Sequence, residues 1–559
     1  MDTSRISTLG MNAAQRRALY LLLRKRGVDV FAHLPIPRVS RERPLPLSAA
    51  QRRLWLFWKL NPSSAAYHIT GALRLRGELD VAALRAALTR LVDRHEALRT
   101  IFLEDSGEPM QQVAAPGPAN LTVRDVPAEP SARELTALVT ELATEPFDLT
   151  QGPLLRCALL RSDERRAVFV VTLHHIAADA WSLDVILREL MQLYAAERGG
   201  AKLALPELPI QYLDYAQWHE TWLAAGESTR QLGYFKQQLA NAEPGPLPLP
   251  CDFPRPPVQS HRGGAVRGRI PAPLAAELVR LAQSEGVSLY VLLLTLYGAW
   301  LSRWTGRKQL VIGAPIANRA RAETHAIVGF FVNTQALQLE LDTRQSFLDC
   351  MRQVKQVAAG AQAHSELPFD RLVDALKPER SLAYHPLFQV LFNHLQDGAS
   401  ESASAAGLTL EPLVTPTTTT QFDLTLDTQL DLEQQIRLNL EYASDLFEGE
   451  SAERMLADYI ELARAVAREP ERPLRALVIE TPAVLETQPS ADPEPLPLQI
   501  ARRCAERAEA VALRCGSERL SFRELEQRVT GLARYLHARG ARAEQVVAVL
   551  CNRSLEALV

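Results

Sequence analysis

The stretch AVFVVTLHHIAADAWSLDVILRELMQLY, residues 167–194, constrains the fold more than any other part of the chain. Ala167 to Leu173 is an unbroken run of apolar and β-branched residues, the pattern of a strand buried on both faces. Leu183, Ile186, Leu187, Leu190 and Tyr194 then recur at helical spacing, with Asp184 in the first turn where the helix dipole favours a carboxylate. His174 and His175 therefore stand at a strand end, and Asp179 in the loop that enters a helix. Strand ends that deliver polar groups to an open loop are common places for chemistry. Successive strand residues point to opposite sides, so only one of the two imidazoles faces a given cavity. A His-His pair with an aspartate four residues on also arises by chance, which leaves catalytic and structural readings both open for the string alone.

Composition narrows the setting. A chain of 559 residues has room for several cored units of roughly 150 residues. Apolar content of 47% with 23% charged residues excludes a mainly disordered protein. The 62 basic against 65 acidic residues leave a charge of −3, no bulk field for a polyanion, so nucleic acid is not an expected partner. The six cysteines are scattered, with no CxxC pair and no zinc spacing, and read as thiols in a reducing compartment. Leu19 to Leu23 is too short and too closely ringed by arginines for a secretory signal. Ser288 to Leu301 falls short of the ~20 residues a bilayer span needs. The expectation is a cytoplasmic protein with no membrane association.

Along the chain, residues 1–43 read as a leader, with an amphipathic basic helix at Asn12 to Arg26 followed by an extended segment through Pro35, Pro37 and Pro44. Residues 44–224 mix helical patterns, such as Val81 to His95, with strand-like runs, an α/β layer signature. PGPLPLPCDFPRPP at 244–257 reads as a linker or surface crossing inside a second α/β block, 225–484, which a Ser/Ala/Gly-rich loop interrupts at 396–407. A Pro-rich linker spans 485–498. The last unit, 499–559, carries a capping box at Ser521 to Glu524, a helix through Leu536 and a strand at Val546 to Leu550. No P-loop and no GxGxxG in a strand-to-helix setting is present.

Eight strings occur in a fixed order: LPLSAAQRRLWLF (45–57), RHEALRTIF (94–102), HHIAADAWS (174–182), YLDYAQW (212–218), IGAPIANR (312–319), VGFFVNT (328–334), HSELPFDRLV (364–373) and HPLFQVLF (385–392). Together they resemble the condensation domain of nonribosomal peptide synthetases over about 45–480, and LSFRELEQRV with VVAVLCNRSLEALV looks like the opening of an adenylation domain. The resemblance implies an α/β chloramphenicol-acetyltransferase-like pseudodimer, two lobes in a V with a tunnel between them. It also implies amide formation between a donor acyl or peptidyl thioester and the α-amine of an aminoacyl thioester. Donor and acceptor peptidyl carrier protein domains would bring both on phosphopantetheine arms. The chain itself would bind no cofactor, a downstream adenylation domain is the expected neighbour, and this stretch, ending before that family's ATP loop, is not expected to activate an amino acid.

The same resemblance distributes roles. His175 is the imidazole expected to face the attacking amine, as base or as positioning group, with His174 its structural companion and Asp179 holding the loop in shape by pairing with an arginine. Arg94 of the RHE string is the expected partner, and Arg99 the second choice. Asn333 is expected from the opposite lobe, as a polar contact near the reacting centre or as a residue ending a strand. Ser182 either reaches the tunnel or caps the helix. Ala180 stands where the family usually has glycine, and would narrow the acceptor channel or forbid a positive φ. Trp218 is a substrate-side candidate whose plainer role is packing beside Tyr212. The His pair argues against heterocyclisation, and the tail argues against epimerisation. A donor ending in a D-residue, a starter domain using a fatty acyl donor, an ester-forming relative and a noncatalytic platform recruiting partners are readings the same strings leave open.

Overall fold

The apolar run expected as a strand forms Arg166–His174, and its neighbours explain its composition. It lies inside a six-stranded sheet in the order Ala403–Ala405, Leu408–Leu413, His68–Arg76, Arg166–His174, Leu155–Arg161, Leu121–Asp125. Phe169, Val171 and Leu173 enter the main core of this first lobe, while Val168 and Val170 pack with Leu135 and Val139 of helix Ala132–Thr144 on the other face. Both faces are covered, so the alternation that marks a half-exposed strand is absent. The computed structural model describes residues 35–540 apart from 129, 200–202, 204, 244, 379–380, 396–402, 406, 414–416, 478–495 and 516–517. The expected helix at 12–26, most of the loop at 396–407, most of the linker at 485–498 and the strand at 546–550 lie outside the described residues.

The second lobe repeats the plan. Its six-stranded sheet runs Asn333–Glu340, Gln309–Ile316, Val390–Leu395, Leu424–Leu430, Ile436–Ala443, Gly263–Ile270. Helix Leu289–Thr305 is buried from Val291 to Ser302, which explains its unbroken hydrophobicity. Ser288 caps its start and Gly306 ends it in the left-handed region at φ 69°. Among the described residues no single helix is long and apolar enough to cross a membrane. The described part of the Pro-rich segment, 245–257, crosses this lobe's surface, with Leu249 seated in its core.

Two segments of the second half belong in space to the first lobe. Leu408–Leu413 pairs antiparallel with His68–Arg76, and Leu408 and Leu410 are buried in the first lobe's core. The loop preceding Asn333–Glu340 inserts Ile327, Val328, Phe330 and Phe331 into the same core. Gly329 lies so close to Tyr212 that a Cβ there would come within 2.2 Å of the ring, so only glycine fits between Val328 and Phe330. The described residues from 481 onward are a separate compact unit. Within it helix Leu496–Glu506, the antiparallel pair Val511–Cys515 and Glu518–Ser521, and helix Phe522–Ala538 follow in order, and the Ser521/Glu524 capping box forms as expected.

Phe331 is 3% exposed and comes from one lobe to fill the other. Phe331→Ala is therefore expected to cost about 3–5 kcal/mol of stability, read as a lowered midpoint in chemical denaturation, although residue 331 lies in a loop.

Candidate active site

The strand ends where its two histidines diverge. His174 pairs in register with His68 and is 3% exposed, with its ring 5.9 Å from that of His68 and 6.0 Å from Phe147. Its Nδ1 accepts a hydrogen bond from the Ile176 amide at 3.1 Å, so it serves the turn. Burial pushes its pKa down to about 3. His175 faces the other way, half-buried, with its ring centroid 5.2 Å from Phe330. Its Nδ1 lies 2.9 Å from the Ala178 carbonyl oxygen. A carbonyl only accepts, so Nδ1 carries the hydrogen and Nε2 is left as a lone-pair acceptor in the neutral ring. Burial lowers the pKa of His175, against the pull of Asp179, and the nearby Arg53 lowers it further.

Asp179 is the hub of the loop. Its carboxylate accepts from the Ser182 amide at 2.8 Å and its carbonyl from Leu183 at 3.1 Å, so Asp179 is the cap of helix Ala180–Gly199. The same carboxylate accepts from Ser182 Oγ at 2.6 Å, from Arg319 Nη2 at 2.9 Å and from the Phe331 amide at 3.1 Å. Arg319 and Phe331 both come from the second half of the chain, and the Arg319 and Asp179 side chains are 1% and 4% exposed. Arg319 is held in turn by the Thr324 and Ile327 carbonyls at 2.6 and 2.7 Å, with its guanidinium 4.0 Å from the Phe331 ring centre. Burial lowers the Arg319 pKa, and Asp179 opposes that fall.

The partner of Asp179 is thus Arg319, in place of the expected Arg94 or Arg99. Arg94 sits at the end of helix Val81–Arg94, where it pairs with Glu189 at 3.0 Å and donates to the Pro206 carbonyl at 2.7 Å. Arg99 donates to the Ala114 carbonyl. Both are spent on local contacts one helix away from the loop. The available sequence signal is the IGAPIANR string, whose last residue is Arg319.

The other candidates resolve into structural roles. Asn333 opens its strand and clamps the chain below: its Nδ2 donates to the Ser365 and Leu367 carbonyls at 2.9 and 2.6 Å, and its Oδ1 accepts from the Phe369 amide at 3.1 Å. Three partners use its amide, which matches the strand-end alternative, at the strand's start and not its end. Ser182 is fully buried inside the helix and does not cap it; its hydroxyl lies 2.9 Å from the Gly329 carbonyl and accepts from the Gly329 amide at 3.1 Å, bridging the lobes. Ala180 is exposed and helical, so its backbone needs no glycine. Trp218 stacks on Trp222 at 6.0 Å and has the Arg321 guanidinium over its ring at 5.1 Å, a packing role. Sequence reasoning missed Arg53 and Asp370, which face each other from helices Ala49–Leu60 and Phe369–Leu376 at 3.9 Å, one from each lobe.

Two expectations follow. Arg319→Ala leaves Asp179 buried without its cation, a cost of about 3–5 kcal/mol, and Arg319→Lys recovers only part because it cannot match the fork of bonds. Arg94→Ala is expected to leave the Asp179 loop intact, so thermal melting and hydrogen exchange over 175–183 separate the two variants. The buried His174 and His219 have pKa values pushed down to about 3 and about 4, from 6.5. The unfolded chain then binds protons that the folded one refuses, so stability is lost as pH falls below 6.5, by about 2 kcal/mol per imidazole at pH 5. His174→Asn, which keeps an acceptor for the Ile176 amide, is expected to flatten the fall of melting temperature between pH 7 and 5.

Comparison with known proteins places this geometry. The family model described as Condensation domain matches residues 41–485, and that of AMP-binding enzyme matches 500–559. A linear gramicidin synthase polypeptide of Brevibacillus parabrevis is 38% identical over 549 residues, 96% of this chain and 7% of that protein. Phosphinothricin tripeptide synthetase PhsC of Streptomyces viridochromogenes is 37% identical over 94% of this chain and 50% of its own length. The chain thus spans half or less of these relatives. Among solved structures, the X-domain from teicoplanin biosynthesis aligns at a TM-score of 0.73 with 30% identity, over 80% of this chain and all of that one. The first condensation domain of the CDA synthetase shares the fold at a TM-score of 0.67 with 20% identity, over 79% of this chain and all of that one. With two sheet-and-helix lobes, a buried Asp–Arg tie between them and a family match over 41–485, the chain belongs to the condensation domain family.

Proposed function

We propose that the lobes catalyse peptide-bond formation between two carrier-bound thioesters in nonribosomal peptide synthesis, an acyl transfer to an amine. The observation that carries the reading is His175: a half-buried imidazole with Nδ1 bonded to the Ala178 carbonyl and a lowered pKa, which leaves Nε2 free to accept a hydrogen at neutral pH. The gramicidin and phosphinothricin tripeptide synthetases, in which sequences like this one are embedded, support it.

The chemistry asks little of the protein beyond placement. A thioester is already activated, and an α-amine with an ordinary pKa of about 7.7–8.0 is partly neutral near pH 7. The amine nitrogen attacks the donor carbonyl carbon, a C–N bond forms and the carbonyl π pair moves to oxygen. The nitrogen's proton passes to His175 Nε2, the pair on oxygen re-forms the carbonyl as the carbon–sulfur bond breaks, and the departing thiolate of the donor's phosphopantetheine arm takes the proton from Nε2. Holding both tethered ends at His175 contributes through orientation, and the imidazole contributes as acceptor or base. Partner carrier domains supply the arms as substrate, so the chain needs no cofactor of its own in this reading.

Single-turnover reaction of loaded donor and acceptor carriers, followed by intact-protein mass spectrometry, tests this. Wild type is expected to move the donor mass onto the acceptor carrier, and His175→Ala to slow it by about a hundred-fold or more. A panel of D-aminoacyl, L-aminoacyl and fatty-acyl donors reveals the donor class. No product from any donor, with carrier binding intact, overturns the proposal.

A further inference from the structure

Residues 35–41 lie across the first lobe as a strap and end on the loop that holds the active-site arginine. Ile36 is 4% exposed in the first lobe's core. The Val39 amide donates to Asp214 at 2.7 Å, Arg41 donates to Asp214 at 2.9 Å and to Glu96 at 2.8 Å, and Arg38 donates to the Leu208 and Pro209 carbonyls at 2.6 and 2.8 Å. These contacts fix the strap to the first lobe. One contact goes elsewhere: the Ile36 amide donates to Glu323 Oε1 at 3.1 Å, on a residue 287 positions away.

Glu323 is in the short turn Ala322–Thr324, between Arg319 and the inserted Ile327 to Phe331. Its Oε2 accepts from Arg321 Nε at 2.8 Å, and the Arg321 carbonyl accepts from Thr324 Oγ1 at 2.7 Å. The Thr324 carbonyl is the acceptor that holds Arg319 Nη1 at 2.6 Å, and Arg319 Nη2 holds Asp179. A second line runs through His325, whose ring nitrogen donates to the Arg319 carbonyl at 2.9 Å and whose own carbonyl accepts from Trp181 Nε1 at 2.9 Å. Both lines return to the loop and first helical turn that shape His175.

We propose that Glu323 is a positioning residue for the His175 loop, bonding the strap to the turn that sets Arg319. This rests on the functional reading above, since what it positions is the imidazole that reading uses. The carboxylate of Glu323 is bonded to Ile36 and Arg321 and acts on His175 through the geometry of the turn. With the carboxylate removed, the Ile36 amide and Arg321 lose a shared acceptor, and the Thr324 carbonyl is free to drift from Arg319. Displacements of that kind at a reacting centre reduce rate without removing the binding surface.

The test compares wild type, Glu323→Ala, Glu323→Gln and Glu207→Ala in the full chain. Glu207 is exposed and joins Arg38 only in a surface ion pair at 3.3 Å, so its loss controls for strap charge alone. Glu323→Ala is expected to lower the single-turnover rate about ten-fold with the KM for acceptor carrier unchanged, and to speed hydrogen exchange in the peptide covering 175–183. Glu323→Gln keeps an oxygen for the Ile36 amide and is expected to recover most of the rate, while Glu207→Ala matches wild type in both readouts. Faster exchange confined to 35–41 and 319–326, with none at 175–183, overturns the inference, as does an unchanged rate or a rise in KM alone. If wild type itself forms no product, the functional reading fails, and exchange at 175–183 still decides whether Glu323 sets the loop.

Discussion

The Asp179–Arg319 pair is the interaction on which the rest of the site depends. Both side chains are almost entirely out of water, and two charges so placed are costly unless every donor and acceptor around them is used. Here the carboxylate takes the Ser182 amide and hydroxyl, the Phe331 amide and the guanidinium, while the guanidinium also takes two carbonyls of its own loop. Each bond fixes a different piece. The Ser182 bonds start the helix, the Phe331 bond seats the inserted segment, and the carbonyls wrap the loop around Arg319. What remains between His175 and Asp179 is a three-residue turn whose Ala178 carbonyl meets the imidazole.

The second half of the chain lends two segments to the first lobe, which ties the lobes together. Leu408–Leu413 completes the first lobe's sheet, and Ile327 to Phe331 complete its core, though both come from the second half of the chain. Not every contact between the lobes is of this kind. Arg53 and Asp370 meet at 3.9 Å, beyond hydrogen-bond reach, with about a third of each side chain exposed. The tie beneath His175 is thus dry and hydrogen-bonded through both carboxylate oxygens and both terminal guanidinium nitrogens, while the pair beside it lies beyond hydrogen-bond reach.

Much of this is legible in the sequence, and what is not has a common cause. Periodicity yields the strand Arg166–His174, the helix after it and the divergence of the two histidines, because each is a local consequence of backbone geometry. The buried helix Leu289–Thr305 and the capping box at Ser521 are legible for the same reason. The partner of Asp179 is not. Arg94 sits in a recognisable string, but its place on the helix turns it toward Glu189, and the arginine that arrives is 140 residues away on a swapped loop. Asn333 is a site candidate only through the VGFFVNT string of the resemblance; its three bonds to 365–369 appear only when the turn is folded. Ser182 has the side chain of a cap, yet Asp179 holds that position and releases the hydroxyl to bridge the lobes.

The commitment of Asp179 to Arg319 also sets the tautomer and proton affinity of the His175 imidazole. In a serine-protease triad the aspartate bonds directly to imidazole Nδ1–H, which stabilises the imidazolium and suits the removal of a proton from a poor nucleophile. Here the carboxylate is committed to Arg319, and a neutral carbonyl occupies Nδ1 in its place. Asp179 still raises the imidazole's proton affinity from a distance, but burial outweighs it and Arg53 works against it. The result is an imidazole of lowered proton affinity held in one tautomer. In the reaction proposed above, an amine attacking a thioester, both partners are reactive beforehand, and fixed placement of a neutral acceptor is the larger need.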